Sequence, residues 1–417
     1  MTDTLPGPAT PARPTPAQPL AGIRILDFCW IGAGALVTKT LAELGASIYR
    51  VESRRHPDNL RLAPPFRPGA EGIEGSGYFA SRNPSKQSVA IDMKTEEGRA
   101  LAFRMASTVD VVTSNFRPGI MERWGFSYDA IREVNPSVIY LTMPMQGAEG
   151  PDSTYIGFGS TIAALSGLVA LSGQPGRTPV GTGTHYPDHV PNPGHALVAL
   201  LAALRHRSRT GEGQSIELAQ FESTINVIGP AIVQASAGGT PEMVGNRVPD
   251  AAPHGAYECS GGSWVVIECL DDAQWLALCA ALDREDLAGD SRFATLEGRK
   301  ANEDELDAEI AATVAGILRD DVLADLRDAG VPSAPVNSSR DIVEDPVLWE
   351  RGFWEEIDHP VIGPMPISRT PFRRVGSPRA ALTRPPLLGE HTWDVLSAEL
   401  GMTREEYDAL VESEVLY

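Results

Sequence analysis

Cysteine is scarce in this 417-residue chain: four thiols, at 29, 259, 269 and 279, with no C-x-x-C spacing. That excludes a disulfide scaffold and a thiolate zinc finger, and it suits buried thiols in a reducing compartment, so a cytoplasmic location is expected. Long hydrophobic runs are missing too. No apolar stretch approaches the roughly 18–20 residues that span a bilayer, so no membrane role is expected. Positive charge is in deficit, 35 Lys and Arg against 55 Asp and Glu for a net charge of −20, which argues against nucleic acid as a partner. A G-x-S-x-G elbow is absent, and with it the signature of a Ser-His-Asp hydrolase. The first 19 residues are proline-rich and lack an apolar h-region, so they read as a disordered tail and not as a signal peptide.

What remains is the composition of an ordinary globular protein, 42% hydrophobic and 22% charged, long enough for one large domain or two. Gly22 to Glu52 reads as β-α-β, with a strand over 23–28, a Gly32-Ala-Gly34 turn, a helix over 35–44 and a strand over 47–51. Further strands are expected over 88–91, 109–113 and 137–143, with a helix over 95–106. Alternating strands and helices imply an α/β fold with a doubly wound, mainly parallel sheet, and ligand at the carboxyl ends of its strands. Asn115 sits at such an end. A Gly- and Pro-rich linker follows residue 237, and a hairpin around Ser260–Ser263 with three helices begins a smaller α+β domain. Charge is unevenly spread: residues 50–86 carry seven basic and four acidic side chains, a local +3 that suggests a site for an anionic ligand.

The stretch Thr184-His-Tyr-Pro-Asp-His-Val-Pro-Asn-Pro-Gly-His195 concentrates the chemistry. Its three prolines break regular structure, and the apolar run after it predicts a buried helix with Asn192 as N-cap and Pro193 in the first turn. Asp188 then lies just upstream of a helix N-terminus, whose partial positive charge favours an ionised carboxylate, a plausible nucleophile. A capping or turn role for the same Asp stays open. His185-x-x-Asp188-His189 mimics a zinc pattern, but Pro187 argues against the single helical face that pattern needs, and no metal is expected.

Several separated motifs resemble the family III CoA-transferases, the group of formyl-CoA transferase and carnitine CoA-transferase. They are Gly22-Ile-Arg-Ile-Leu-Asp27, Leu41-Ala-Glu-Leu-Gly-Ala46 through Val51-Glu52, Asn83-Pro-Ser-Lys-Gln-Ser-Val-Ala-Ile-Asp92 and Asp110-Val-Val-Thr-Ser-Asn-Phe-Arg-Pro-Gly119. Asn135-Pro136, Gly147-Ala-Glu-Gly-Pro151, Arg209-Thr-Gly-Glu-Gly-Gln214 and Leu388-Gly-Glu-His391 complete the set, which spans about residues 20–417. The resemblance implies a large Rossmann-like domain made by both chain ends (20–236 and 335–417), a small inserted α+β domain (237–334) and an interlocked homodimer. It implies acyl-CoA and a carboxylic acid as substrates, with no tightly bound cofactor. It places the catalytic carboxylate at Asp188, and CoA contacts at Trp30, Ile31, Arg54, Asn115, Arg123 and Trp124.

Two departures narrow the reading. Aligning on Leu165-Ser-Gly167 puts Gly157-Phe158-Gly159 where the racemase branch has its histidine base, and Val244-Gly-Asn-Arg-Val-Pro249 replaces the glycine run of the formyl-CoA branch. His185, His189 and Arg247 are then candidates for binding the acceptor acid, the histidines being partly charged beside Asp188 near neutral pH. An acyl-CoA isomerase or racemase of the same family, a partner subunit of a two-gene transferase, and an NAD oxidoreductase using Gly32-x-Gly34 with Glu52 on the ribose remain as alternatives.

Overall fold

The computed structural model describes residues 18–376 and 379–417; all but the last two residues of the expected N-terminal tail fall outside them. The chain divides into two compact units, one of residues up to Ser166, Thr184–Val227 and Trp349–Tyr417, the other of Gly167–Gly183 and Ile228–Leu348. The second unit therefore begins earlier and ends later than a linker at 237 and an exit at 334 suggest, and it takes in a short excursion of the chain before Thr184.

The large unit is built on six parallel strands: β1 (Arg24–Phe28), β2 (Ser47–Glu52), β3 (Gln87–Ala90), β4 (Val111–Ser114), β5 (Ile139–Thr142) and β6 (Gln214–Glu217). Their order is β3-β2-β1-β4-β5-β6, every neighbouring pair parallel. Strand alternation sorts the side chains. Leu26, Tyr49, Val51, Val89 and Val112 face one layer with Leu101 and Met105 of helix α3 (Glu96–Ala106), while Ile25, Ile48, Val111 and Ile139 face the other. There they meet Val37 and Leu41 of helix α1 (Ala33–Glu43) and Ala196 and Leu200 of the long Pro191–Thr210 helix. Both faces are buried, as parallel strands require. The C-terminal Thr392–Leu400 helix adds Val395 and Leu396 to the first layer. The order reverses between β1 and β4, and the crevice at that reversal is where such sheets bind ligands.

β6 was not anticipated. Its Gln-Ser-Ile-Glu sequence is polar and mostly exposed, since it is an edge strand, and hydrophobic patterning is blind to it. The +3 segment also turns inward. Arg50 and Arg61 are fully buried against acids, Arg50 on Asp58 and Arg61 on Glu52 (2.7 and 2.8 Å) and Glu74 (2.7 Å), and Lys86 lies 3.6 Å from Asp27. Arg50, Arg61 and Lys86 are thus matched internally, and the local excess of positive charge rests on Arg54, Arg55, Arg67 and Arg82.

The small unit has its own core, with Trp275 and Phe293 at its centre. A three-stranded antiparallel sheet, His254–Glu258, Trp264–Glu268 and Ser333–Pro335, packs with helices that include Asp272–Ala281, Glu303–Val314 and Arg319–Asp328. The hairpin follows the expectation; the third strand was not anticipated.

Candidate active site

The turn after β1 is held by side chains at nearly every peptide. Asp27, wholly buried, accepts from the Cys29 N–H (2.9 Å), Thr113 Oγ1 (3.0 Å) and Thr38 Oγ1 (2.8 Å). Arg50 donates to the Cys29 carbonyl (2.7 Å), and Asp58, its ion-pair partner, accepts the Ile31 N–H at 3.1 Å. The Asn115 carboxamide, from the end of β4, clasps the Trp30 peptide: its Oδ1 accepts the N–H at 2.9 Å and its Nδ2 donates to the carbonyl at 2.6 Å. These bonds hold Ile31 at φ 63°, a left-handed conformation that costs a β-branched residue about 1–2 kcal/mol. The chain then enters α1 at Gly32 with no side-chain cap.

Asp188 is brought to this turn from the other side. Tyr186–His189 forms a single helical turn, with Pro187 accommodated in its first positions where no backbone donor is needed. The long helix starts at Pro191, two residues before Pro193, so Asn192 lies inside it and Val190 takes the N-cap position. Asn192 is buried and bonds Gln220 (3.2 Å) instead of capping. Asp188 is 8% exposed. Its carboxylate fits only because two residues lack a β-carbon: a Cβ on Gly32 or on Gly159 would stand 2.7 Å from Asp188 Oδ2. Gly34 has a different reason, since a Cβ there would meet Cys29 Sγ at 2.5 Å. The glycines make room for a carboxylate and a thiol, which is a more specific demand than a tight turn.

Electrostatically Asp188 differs from expectation. Burial pushes the Asp188 carboxyl up to about 6, against the opposing pull of His185, the Gly159 N–H and Arg82. Desolvation therefore outweighs any favour from a helix terminus, although the group is still mostly ionised at pH 7. His189 also departs. Burial, with Arg82 and His185 adding repulsion, drives it down to about 4, so it is neutral and not partly charged. Arg82 Nη2 lies 2.8 Å from His189 Nε2, and His189 Nδ1 lies 3.1 Å from Thr184 Oγ1. An arginine can only donate, which fixes Nε2 as acceptor and Nδ1 as the protonated nitrogen. Both ring nitrogens are engaged, so His189 has none left for a metal ion. His185 is exposed beside Asp188. Arg247 belongs to the small unit, where it donates to Asp304 (2.6 Å) and Asp307 (3.0 Å).

Arg82, the last residue of helix α2 (Gly77–Arg82), is the site residue sequence reading passed over. It was counted only as one of seven basic residues; nothing local marks it, because its partner is 107 positions away.

A cleft of about 220 Å³ lies in front of Asp188, walled by Trp30, Ile31, Gly32, Asn115 and Phe158. A larger one of about 530 Å³ shares Trp30, Asn115 and Phe116 with it and runs past Trp124 to His56, Lys94 and Arg117. Trp30, Phe116 and Trp124 form an edge-to-face chain with centroids 5.3 and 5.6 Å apart. Arg54 and Arg123 are exposed and stand next in sequence to the lining residues Ser53 and Trp124. Glu52 is not free to read a ribose: Oε1 accepts from Arg61 and Ser88 (2.8 Å), and Oε2 from Arg61. The dinucleotide reading loses its acid.

The model of CoA-transferase family III matches residues 20–392. The chain belongs to that family. It is similar to the succinyl-CoA:mesaconate CoA-transferase of Haloarcula marismortui, 33% identical over 93% of this chain and 99% of the relative. It is also 33% identical to a "probable CoA-transferase" of Mycobacterium tuberculosis over 96% of this chain, and spans half the length of that protein. Among solved structures, a CAIB/BAIF family protein from Brucella suis matches with a TM-score of 0.85 at 33% identity, covering 92% of this chain and all of the other. The activity class of this family III member is CoA transfer. Among its described residues no helix is long and apolar enough to cross a membrane.

Proposed function

We propose that this enzyme moves CoA from an acyl-CoA to a free carboxylic acid through covalent intermediates on Asp188. The observation that carries this reading is the buried Asp188 carboxylate, set between Gly32 and Gly159 at the wall of a cleft continuous in its lining with one large enough for much of a CoA. An Asp188 oxygen attacks the thioester carbonyl, the C–S bond breaks, and an anhydride and CoA thiolate result. The thiolate attacks Asp188 Cγ and expels the first acid as carboxylate, leaving an aspartyl-CoA thioester. The acceptor carboxylate attacks Cγ and expels thiolate; that thiolate attacks the acceptor's acyl carbon and returns Asp188 as carboxylate. Each step exchanges one anion for another, so no external oxidant, reductant or ATP is required. The uncapped N-terminus of α1 presents backbone donors beside Asp188, the kind of group that stabilises tetrahedral oxyanions.

The adenine and phosphates fit the larger cleft, with Trp30 and Trp124 as apolar walls, Asn115 and Ile31 framing the turn, and His56, Lys94, Arg117, Arg54 and Arg123 as the basic groups near it. The relatives' names, and a cleft of only about 220 Å³ before Asp188, support a short acyl group such as a four- or five-carbon dicarboxylate. Val198 (70% exposed), Leu201, Ile156 and Phe158 leave apolar surface on the large unit, which supports burial against a second copy of this chain.

The test is Asp188→Ala. Turnover should vanish while CoA still binds, and hydroxylamine should trap the acylated residue in wild type, read by peptide mass spectrometry. Near-normal transfer by the variant removes the mechanism. Product CoA esters from a panel of acyl-CoAs and acids identify the donor and acceptor, and a product formed with no free acid would indicate an isomerase.

A further inference from the structure

Arg82 has an unusual setting for an arginine. Among the described residues no carboxylate lies within ion-pair distance of it, and its Nε is buried without a hydrogen-bond partner. Its side chain is half-buried, stacked near the Tyr78 ring (5.2 Å) and bonded through Nη2 to His189. Placing a cation against a neutral imidazole is a net desolvation cost unless a negative charge nearby offsets it. The residue next to that imidazole is Asp188.

We propose that Arg82 is the positioning residue that keeps the buried Asp188 nucleophile ionised, and that His189, fixed by Thr184, holds the guanidinium in place for it. The inference rests on Asp188 being the nucleophile. The other groups facing Asp188 are few. Its own segment contributes His185 and the neutral His189. The Gly159–Leu165 helix contributes one N–H, from Gly159, and α1 contributes Gly32, which has no side chain. Lys39 of α1 faces Arg82 and Glu43, and its amine is occupied by the Ser368 carbonyl. Among these groups Arg82 brings to Asp188 a guanidinium, which stays charged in proteins. The same charge has a second consequence in the cycle. Lowering the basicity of the Asp188 carboxylate makes it a better leaving group in the final step, when thiolate attacks the acceptor's acyl carbon and the Asp188–acyl bond breaks.

The pH dependence of Asp188 acylation in a single turnover tests this. In wild type the rate should fall on the acid side near pH 6. In Arg82→Gln the limb should move measurably to higher pH, because an opposite charge acting on Asp188 is lost. Arg82→Lys should keep the limb near the wild-type position, and it also serves if the Gln variant does not fold. A lower rate with an unmoved limb in Arg82→Gln, or a Lys variant displaced as far as Gln, overturns the proposal, because a structural role alone changes rate without moving a titration. A readout independent of turnover is the Asp188 carboxylate band in infrared difference spectra of wild type minus Asp188→Asn. If hydroxylamine traps nothing while that band still shifts with Arg82→Gln, the nucleophile reading fails and this one stands as electrostatics; the reverse result sinks this one alone.

Discussion

Arg247 in the small unit donates to Asp304 and Asp307 and lies 3.7 Å from Glu303, whereas Arg82 in the large unit meets a neutral imidazole and an aromatic ring and, among the described residues, has no carboxylate within ion-pair distance. Both were basic residues in a chain of net charge −20, and only Arg247 drew notice in the sequence, by occupying a segment that differs from a related branch. The surroundings reverse that ranking. A guanidinium surrounded by three carboxylates has its charge compensated and is a local tether; one left uncompensated beside a buried carboxylate bears on that carboxylate's protonation. The comparison extends to Arg61, fully buried like a catalytic residue but saturated by Glu52 and Glu74.

The sharpest way to break the contrast is to move the Asp188 carboxylate while leaving every charge in place. Gly32→Ala and Gly159→Ala each introduce a Cβ about 2.7 Å from Asp188 Oδ2, so the carboxylate must shift. We expect kcat/KM to fall by about 10²-fold, the usual cost of a displacement near 1 Å, with CoA affinity much less affected. Normal rates in both variants would mean that the carboxylate's seat is not what orders the reaction.

Next in size is stability. Removing one partner of the buried Arg61–Glu52 pair, as in Arg61→Leu, should cost about 3–5 kcal/mol in chemical denaturation. Burial raises the Glu52 carboxyl, but Arg61, Arg50 and the Ser88 hydroxyl together outweigh it and hold the group below its ordinary value. Its stabilisation is accordingly present above the unfolded value of about 4.5 and lost as pH falls through the lower folded one. Asp188 has the opposite sign. Its raised carboxyl binds protons more tightly when folded, so the stability it contributes is full below the unfolded value of about 3.8 and is lost as pH rises through about 6. Asp188→Asn should therefore be more stable than wild type at pH 8 by an amount on the order of 2–3 kcal/mol, while inactive. An equal or lower melting temperature at pH 8 would show that the carboxylate is not strained by its burial.

Much of this was legible in the chain. The β-α-β at Gly22–Glu52 and the strands near 89, 112 and 140 followed from periodicity. Asp188 could be singled out because prolines and histidines crowd around it. What was not legible depends on distance in sequence. Glycine spacing could not reveal that Gly32 and Gly159 close on the same carboxylate 29 or more positions away. The helix-terminus argument for an ionised Asp188 named a real effect and lacked the larger one, burial. His189 was assigned a charge from its neighbour in sequence, and its neighbour in space is a cation.

The smallest expected effect is at Arg247. Its guanidinium is about one-third exposed and its partners Asp304 and Asp307 are 85% and 30% exposed, so the tether is worth about 0–1 kcal/mol. Arg247→Gln should shift denaturation by no more than that. If compensation by three acids is what removes an arginine from the chemistry, the variant's KM for the acceptor acid should stay within about twofold of wild type in the half-reaction that consumes it, a difference worth under 0.5 kcal/mol. If instead Arg247 binds the acid, as its place in the sequence suggested, the acceptor KM should rise by about tenfold or more while the donor half-reaction is unchanged, since a charged donor to a carboxylate contributes roughly 1.5–3 kcal/mol. Measuring both half-reactions on Arg247→Gln and Arg82→Gln in one assay separates the two kinds of arginine: a KM change confined to the acceptor acid marks a binding group, a moved pH limb marks a group acting through Asp188, and neither marks a tether.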